Sequence, residues 1–465
     1  MAEDGQQQPP DGDPATRRGP ASQQDMRRQN LALVMRTVAA AHPLSRADVA
    51  GRTGLTRTAV SSLVDELIGG GLLLEGELER SGRVGRPGRA LVPNGNGPAG
   101  LGLEIGVEHL SACVLDLRGE VRVELHRPAA NAGRSAEQTL AELAELADRA
   151  EREATALGLR VVGRVLAVPG SVPLGSPANQ VEHAPNLGWH QVDVTELWPG
   201  PGSAPAVENE ANLGALAELW QGTGSGTFVH VSAGEGIGGA LVLDGRLFRG
   251  VQGFAGELGH LTVRPDGRPC SCGARGCLEP YAGLAAVLRS AGFTDELDGL
   301  DALDGPDRFD GLDEPDRLER SDRQERSDQQ DRPDGSSGAP GATSLTGRQN
   351  GDPIAELARR AEQGDPATRR ALRHAGTALG TALAAAVNLV DPDSLVLGGG
   401  YADLAHWLLP AMRTELAALI RVRPWPEEAL RASPLGRRGP VLGAALVTVR
   451  SLHSDPAGLW LAETA

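Results

Sequence analysis

The sequence predicts an α/β fold, with a small helical module at the N-terminus and a two-lobed body behind it. Strand-like runs at about residues 101–105, 110–117 and 120–126 precede an amphipathic helical pattern, 136–156, and an apolar strand, 161–168. Strands that alternate with a crossover helix are typical of an α/β lobe. A long helical pattern further along the chain indicates a second lobe, and the N-terminal region has a helical periodicity of its own.

We expect the first lobe at residues 98–206 and the second lobe at residues 207–439. The second lobe holds the long helical pattern, 366–390, which leads into a strand that ends in three glycines. A C-terminal helix, 440–453, is expected to return to the first lobe. The N-terminal module occupies residues 24–92 and is followed by a linker rich in Asn and Gly.

The composition excludes several classes of protein. The chain of 465 residues has a formal net charge of −16 and contains no lysine, so every cationic side chain except histidine is an arginine. No stretch approaches the ~18 uninterrupted apolar residues of a membrane-spanning helix. Residues 1–23 are rich in Gln, Pro and Gly, which is typical of a disordered tail and unlike a secretion signal. We therefore expect a cytoplasmic protein.

Much of the negative charge lies in one segment, residues 295–352. An acidic residue occupies every third position from Asp295 to Asp334. Because an α-helix has 3.6 residues per turn, a period of three drifts around the helix and builds no stable face. The segment is therefore interpreted as an acidic, low-complexity insertion. It is either a solvated repeat or an acidic interaction segment, and the sequence indicates no partner for it.

Three of the four cysteines form one short motif, Cys270-Ser-Cys272-Gly-Ala-Arg-Gly-Cys277, and His260 lies ten residues upstream. Three thiolates and one imidazole make a ligand set that structural Zn²⁺ prefers. The alternative is a disulfide, but Cys270 and Cys272 are too close in sequence for an unstrained bridge. The spacing therefore predicts a structural zinc site. Cys113 lies in an apolar run and is expected to be a core residue.

The N-terminal module has the pattern of a helix-turn-helix. Ser45 begins a capping box before a short helix, Gly54 supplies a turn, and Thr56 is a good N-cap for the next helix. The polar positions at the start of that helix are the ones expected to contact DNA: Thr56, Arg57, Thr58, Ser61 and Ser62.

A basic loop follows the second of these helices. Arg83, Arg86 and Arg89 are separated by Gly and Pro, as in a wing whose arginines contact phosphates or enter a minor groove. Together with the helical pattern, the loop predicts a winged helix-turn-helix that binds double-stranded DNA. The alternative is a small helical packing domain with a solvated loop.

The cysteine motif and its flanks closely resemble the ROK (repressor/ORF/kinase) family. The residues that precede it are Gly256-Glu-Leu-Gly-His260, and those that follow it are Leu278-Glu279. Three further motifs resemble the same family: Pro185-Asn-Leu-Gly-Trp189, Glu208-Asn-Glu-Ala-Asn212 and Gly234-Glu-Gly-Ile-Gly-Gly239. The N-terminal module resembles the repressor branch of the family. The resemblance covers about residues 24–294 and 353–450.

The resemblance implies a two-lobed, actin-like ATPase fold of the sugar-kinase type, with a sugar bound in the cleft between the lobes. It implies that Glu257 and His260 contact sugar hydroxyls and that His260 also binds the metal. Asn209, Glu279 and Asn186 are further candidates for hydroxyl contacts. For each of these residues the alternative is an ordinary loop or helix-cap residue.

Two departures from the kinase pattern favour a protein that is not an enzyme. Kinases of the family have a glycine-rich phosphate loop, whereas the matching stretch here is Glu104-Ile-Gly106-Val107-Glu108. Val107 replaces a glycine with a branched side chain, and Glu104 and Glu108 add negative charge where the phosphates would lie. The catalytic Asp of the kinases is replaced by Glu210, which is one methylene longer. Since a general base must lie within hydrogen-bond reach of the hydroxyl, Glu210 is expected to be a degenerate base that still binds sugar.

These features predict a sugar-responsive transcriptional regulator. We expect a repressor of genes for carbohydrate uptake or metabolism, which binds a DNA operator as a homodimer and responds to a sugar or sugar phosphate. The alternative is an active, glucokinase-like sugar kinase with an appended DNA-binding domain. A third interpretation is a sugar-binding scaffold that acts through the acidic insertion.

Overall fold

The computed structural model describes residues 23–76, 89–174, 179–222, 224, 226–293, 352–421 and 423–458. The tail and the insertion predicted from the sequence lie outside these residues, except for Gln23 and Asp352. The chain divides into two compact units, which are Met1–Gly97 together with Arg450–Ala465, and Pro98–Val449. Among the described helices, none is long and apolar enough to span a membrane.

Within its N-terminal part, the described residues of the first unit form three helices and a two-stranded sheet. Its elements are α1 (Gln23–Ala41), α2 (Arg46–Thr53), α3 (Arg57–Gly69), β1 (Leu73–Gly76) and β2 (Ala90–Pro93). The strands β1 and β2 are antiparallel.

Local sequence signals set the ends of the helices in this unit. Ser45 and Asp48 form a capping box at the start of α2, and Gly54 ends that helix in the left-handed conformation with φ of 73°. Thr56 caps α3. The core of the unit is formed by apolar side chains of all three helices and both strands, which include Val34, Met35, Val38, Val49, Val60, Val64, Leu67, Leu73 and Leu91.

The described residues of the second unit form two five-stranded sheets, a two-stranded sheet and their helices, the last of which runs on into the first unit from Arg450. Its first half consists of β3 (Pro98–Ile105), β4 (His109–Asp116), β5 (Val121–Pro128), α4 (Ala136–Ala156), β6 (Arg160–Val168), β7 (Gln180–Ala184), β8 (Trp189–Asp193), α5 (Val194–Leu197), β9 (Ala206–Asn209) and α6 (Glu210–Trp220). Its second half consists of β10 (Phe228–Ala233), β11 (Ile237–Leu243), β12 (Arg246–Phe248), α7 (Glu279–Ala282), α8 (Leu284–Ser290), α9 (Pro353–Glu362), α10 (Pro366–Val390), β13 (Ser394–Gly399), α11 (Ala405–Leu419), β14 (Leu430–Ala432) and α12 (Gly439–Ser454).

The two large sheets share one topology. The first has the order β5-β4-β3-β6-β9, and the second has the order β12-β11-β10-β13-β14. In each sheet three antiparallel strands that are consecutive in sequence are extended by two parallel strands. Each lobe therefore has its own sheet. Residues that follow the carboxyl ends of the parallel strands in either sheet can contribute to a binding site.

The first sheet extends further than the sequence analysis placed it. Strand β9 pairs in parallel with β6, with Val168 opposite Asn209. Residues 207–209 therefore belong to the first sheet, and the second sheet begins at Phe228. The sequence of this short strand has no clear apolar alternation from which a strand could be predicted. Its position in the first sheet is determined by its pairing with β6, which is distant in sequence.

Helices cover both faces of the first sheet. α4 contacts β3, β4 and β5, and α12 packs through Val441 and Ala445 against Cys113 and Leu115. A Cβ atom on Gly102 would lie 2.1 Å from the carbonyl oxygen of Val441, so only glycine permits this close approach of β3 and α12. Cys113 is fully buried, and burial raises the pKa of its thiol to about 12, in keeping with a core residue.

Candidate functional site

The start of α3 presents a polar face. Arg57, Thr58 and Ser62 are exposed, whereas Ser61 is half-buried. The hydroxyl of Thr56 accepts a hydrogen bond from the backbone N–H of Ala59 at 3.2 Å, so it acts as the N-cap. The N-terminal end of a helix with free donors and an arginine beside them is suited to contact phosphates and base edges.

Ion pairs hold this face in place. The guanidinium of Arg46 donates to Glu75 at 2.9 Å and to the backbone carbonyl of Ser61 at 3.2 Å. Arg89, the one predicted wing arginine among the described residues, lies 3.8 Å from Glu75. Arg83 and Arg86 lie outside the described residues.

The predicted metal ligands lie together. One ligand atom from each of His260, Cys270, Cys272 and Cys277 lies within 4.8 Å of the others. Nδ1 of His260 is 3.7 Å from Sγ of Cys270, and Sγ of Cys272 is 3.7 Å from Sγ of Cys277. All four cysteines of the chain are free thiols, so the disulfide alternative has no support from the geometry. The cluster has the composition and size of a site that could bind a metal.

Backbone geometry brings the ligands of this cluster together. Isolated bridges pair Thr262 with Cys277 and Pro269 with Arg275. Gly276 has a φ of 76°, and a Cβ atom there would lie 1.7 Å from the carbonyl oxygen of Arg264. Burial, with hydrogen bonding to the thiols of Cys272 and Cys270, raises the pKa of Cys277 to about 12. This thiol therefore remains protonated at neutral pH unless a cation stabilises its thiolate.

The candidate sugar residues fall into separate environments. Asn209 is the N-cap of α6, since its Oδ1 accepts from the backbone N–H groups of Ala211 and Asn212 at 2.9 and 3.1 Å. Its Nδ2 donates to the carbonyl of Gly170 at 2.8 Å. The capping role that was the alternative for this residue is therefore present in the structure, and one amide N–H remains to donate elsewhere.

Asn186 and Glu279 lie close to one another beside the glycine-rich turn after β10. A Cβ atom on Gly236 would lie 2.9 Å from Oε2 of Glu279 and 3.0 Å from Nδ2 of Asn186. Oε2 of Glu279 also accepts from the backbone N–H of Ile237 at 3.1 Å. A carboxylate and an amide that converge on a glycine backbone can bind hydroxyl groups by accepting from one and donating to another.

Glu257 and His260 lie at the two ends of one turn. Glu257 is exposed and immediately precedes a short 3-10 helix, Leu258–His260. A Cβ atom on Gly259 would lie 2.4 Å from the carbonyl oxygen of Ile237, so this turn packs directly on β11. His260 therefore lies both in the cysteine cluster and on the turn that carries Glu257.

His109 covers the turn at Gly106, which the resemblance aligns with the phosphate loop of the kinases. A Cβ atom on Gly106 would lie 2.2 Å from Cε1 of His109, so the imidazole covers this glycine. Nε2 of His109 lies 3.5 Å from Oε1 of Glu104, which is 5% exposed. The buried side chain of Asn131 fixes the turn by donating to the carbonyls of Gly106 and His109 at 2.7 and 3.0 Å.

Glu210, which the sequence predicts to be a degenerate base, is the first residue of α6. Burial, with the negative charges of Glu104 and Glu235, raises its pKa to about 7, and the charge of His109 opposes this shift. The neighbouring Glu208 is in a different situation, since it accepts from Arg249 at 2.6 Å and from Asn212 at 2.9 Å. Glu210 therefore exchanges its proton near neutral pH.

His109 and His126 are two residues of this region that were not predicted from the sequence. Their rings stack with centroids 5.1 Å apart, and Ser111 Oγ lies 3.1 Å from Nδ1 of His126. The strand pattern places both histidines on neighbouring strands, but no spacing in the sequence indicates that one ring folds back over Gly106.

Comparison with known proteins is consistent with these features. A model of the ROK family matches residues 100–450. The chain belongs to the ROK family. The xylose repressor of Bacillus spizizenii is 26% identical over 433 residues, which are 92% of this chain and 97% of the repressor. The glucokinase of Streptomyces coelicolor is 28% identical over 349 residues, which are 74% of this chain and 96% of the kinase.

A solved ROK structure matches nearly the whole fold. The crystal structure of a ROK family transcriptional regulator, a homolog of the E. coli MLC protein, superposes with a TM-score of 0.67 at 23% identity. The match covers 94% of this chain and 98% of that one. The predicted fold class is confirmed, because the match extends over the body and the N-terminal helical region alike.

Proposed function

We propose that this ROK protein is a sugar-responsive transcriptional regulator that represses genes of carbohydrate uptake or metabolism. The observation that carries the proposal is the extent of its similarity to a xylose repressor, which spans 92% of this chain and therefore includes the N-terminal unit. The glucokinase relative matches 74% of the chain. The exposed polar face at the start of α3 supports a DNA-binding function.

In this proposal DNA is bound through α3 and the wing. Arg57, Thr58, Ser61 and Ser62 face the DNA, Thr56 caps the helix, and Arg83, Arg86 and Arg89 contact the phosphate backbone. A homodimer would bring two such modules to a pseudo-palindromic operator. No lysine is available, so arginine supplies the phosphate contacts of both half-sites.

The sugar is bound in the second unit. Glu257, His260, Glu279, Asn186, Asn209 and Glu210 are the residues assigned to it, and their carboxylates, amides and imidazole match the donors and acceptors of sugar hydroxyls. Zn²⁺ is assigned to His260, Cys270, Cys272 and Cys277, where it would be structural and would fix the orientation of the His260 ring.

The experiment is a fluorescence-anisotropy titration of the protein onto DNA from its own upstream region. We expect tight binding that weakens with salt and changes in the presence of one sugar of a panel that includes D-xylose, D-glucose and their phosphates. A random duplex of equal length is the control. Equal affinity for both duplexes, with or without any sugar, would contradict the proposal for this DNA.

A second candidate function is an active sugar kinase, which the similarity to glucokinase favours. It requires Glu210 to act as the base and the turn at Gly106 to bind nucleotide phosphates. A coupled assay of ADP release over the same sugar panel separates the two functions. Turnover that depends on sugar and disappears in Glu210→Gln would establish the kinase.

A further inference from the structure

One loop of the second lobe extends to the first lobe. This interlobe loop, residues 249–256, begins directly after β12 of the second sheet. At its other end, a Cβ atom on Gly256 would lie 2.3 Å from the carbonyl oxygen of Gly239 in β11, so the chain returns to the second sheet there. Between these two ends, the loop contacts the first lobe at two places.

The first contact is an ion pair between Arg249 and Glu208, which lies in β9 of the first sheet. Nε and Nη2 of Arg249 both donate to Oε2 of Glu208, at 2.9 and 2.6 Å. The other oxygen, Oε1, accepts from the backbone N–H of Asn209 at 2.8 Å and from Nδ2 of Asn212 at 2.9 Å. The side chain of Glu208 is only 15% exposed. Because this carboxylate is largely buried and fully hydrogen-bonded, the ion pair should be stronger than a pair on the open surface.

The second contact is made by backbone groups. The N–H of Leu174 donates to the carbonyl of Gln252 at 3.1 Å. Gly253 has a φ of 99°, and a Cβ atom there would lie 2.8 Å from the backbone nitrogen of Leu174, so the close approach requires glycine. Val172, two residues before Leu174, packs against the core of the first lobe. The interlobe loop is therefore bound to the first lobe through one side-chain contact and one backbone contact.

The ion pair joins the two segments that carry candidate sugar residues. Asn209 and Glu210 directly follow Glu208, and Glu257 directly follows the interlobe loop. We propose that Arg249 is a positioning residue, which holds the two halves of the sugar site together and raises sugar affinity without contacting the sugar. The effect on sugar rests on the proposed function, whereas the link between the lobes rests on the contacts described above.

The physical reason is preorganisation of the cleft. A sugar between the lobes needs donors and acceptors of both lobes in place at the same time. If the lobes separate in the free protein, the apparent affinity falls in proportion to the fraction of molecules that are competent to bind. Loss of the Arg249 guanidinium leaves the interlobe loop with its backbone contact to the first lobe. Sugar binding should then weaken, although every residue assigned to the sugar is still present.

The first test needs no sugar. Hydrogen exchange of the full-length protein, read by mass spectrometry with fragmentation of the peptides, measures the protection of the Leu174 amide. We expect exchange about three- to tenfold faster in Arg249→Gln, because the loop has lost a charge-assisted hydrogen bond. The effect should be smaller in Arg249→Lys, since both guanidinium bonds go to one oxygen and an ammonium can donate to the same atom.

Arg246→Gln is the matched control for this measurement. Arg246 is exposed on β12, three residues before Arg249, and its substitution makes the same change in net charge. Exchange of the Leu174 amide should remain at the wild-type rate in this variant. Equal rates in Arg246→Gln and Arg249→Gln would overturn the link between the lobes.

The second test measures D-xylose binding to the same variants by calorimetry. We expect Arg249→Gln and Glu208→Gln each to weaken binding about three- to tenfold, and Arg249→Lys to recover most of the affinity. In the double variant the two losses should not add, because both substitutions remove the same interaction. Losses that add, or wild-type affinity in Arg249→Gln, would refute the positioning role.

The two tests separate this inference from the proposed function. If D-xylose binds neither the wild type nor any variant, the sugar assignment fails for this probe, and exchange of the Leu174 amide still decides whether Arg249 joins the lobes. If D-xylose binds all variants equally while the amide exchanges faster in Arg249→Gln, the link between the lobes is present and its role in sugar binding is refuted.

Discussion

At the scale of single residues, the site combines side chains that serve the fold with side chains that face the candidate ligand. Asn209 caps α6 through its oxygen and contacts Gly170 through its amide, although the resemblance assigned it to sugar. The two roles are compatible because the amide has two N–H donors and the structure uses one.

Substitution of Asn209 separates these roles. We expect Asn209→Ala to lower the free energy of unfolding by about 0.5–2 kcal/mol, because the cap acceptor is lost. Asn209→Ser keeps a capping oxygen and removes the amide, so it should retain most of the stability. Urea unfolding and sugar titration of both variants provide the measurement. A loss of sugar affinity in Asn209→Ser alongside near-native stability would assign the amide to the ligand, and full affinity would restrict Asn209 to capping.

At the scale of elements, the sequence predicts what depends on local patterns. Local sequence predicts the amphipathic helix α4, the long helix α10 and the helix-turn-helix pair. In each of them, the apolar periodicity and the capping residues lie within the helix or directly beside it. The predicted lobe boundary, between residues 206 and 207, falls inside strand β9, because the place of this strand is set by pairing with β6, far away in sequence. The stacking of His109 on His126 depends likewise on strand register.

The cysteine loop is an element whose stability should depend on metal. Its thiols are brought together by tight turns at Gly273 and Gly276, and the loop has little apolar core of its own. We expect one equivalent of Zn²⁺ in the purified protein by elemental analysis. Cys272→Ser should lose the metal, melt at a lower temperature and respond less to sugar.

Cys113→Ala is the matched control for this prediction, because it removes a thiol that lies in the core and outside the cluster. It should retain the zinc, even if it loses some stability through the smaller side chain. Equal metal content in Cys272→Ser and Cys113→Ala would contradict the zinc assignment.

At the scale of the whole molecule, a chain with a net charge of −16 is proposed to bind a polyanion. The negative charge is unevenly distributed along the chain, because residues 25–92 contain ten arginines and only seven acidic residues. The predicted DNA-binding module is therefore positively charged, although the whole chain is negatively charged. Affinity for DNA must therefore come from a few well-placed guanidinium groups, and each should contribute a measurable share.

Arg57 is the most direct test of that expectation. It is exposed at the first position of α3, where the helix enters a groove in related motifs. We expect Arg57→Ala to weaken operator binding by about 1–3 kcal/mol in fluorescence anisotropy. If Arg57 contacts a phosphate, the variant should also reduce the salt dependence by about one ion. Arg152→Ala, an exposed arginine on α4, is the control with the same change in net charge. Equal affinity of the two variants would place the recognition surface outside the start of α3.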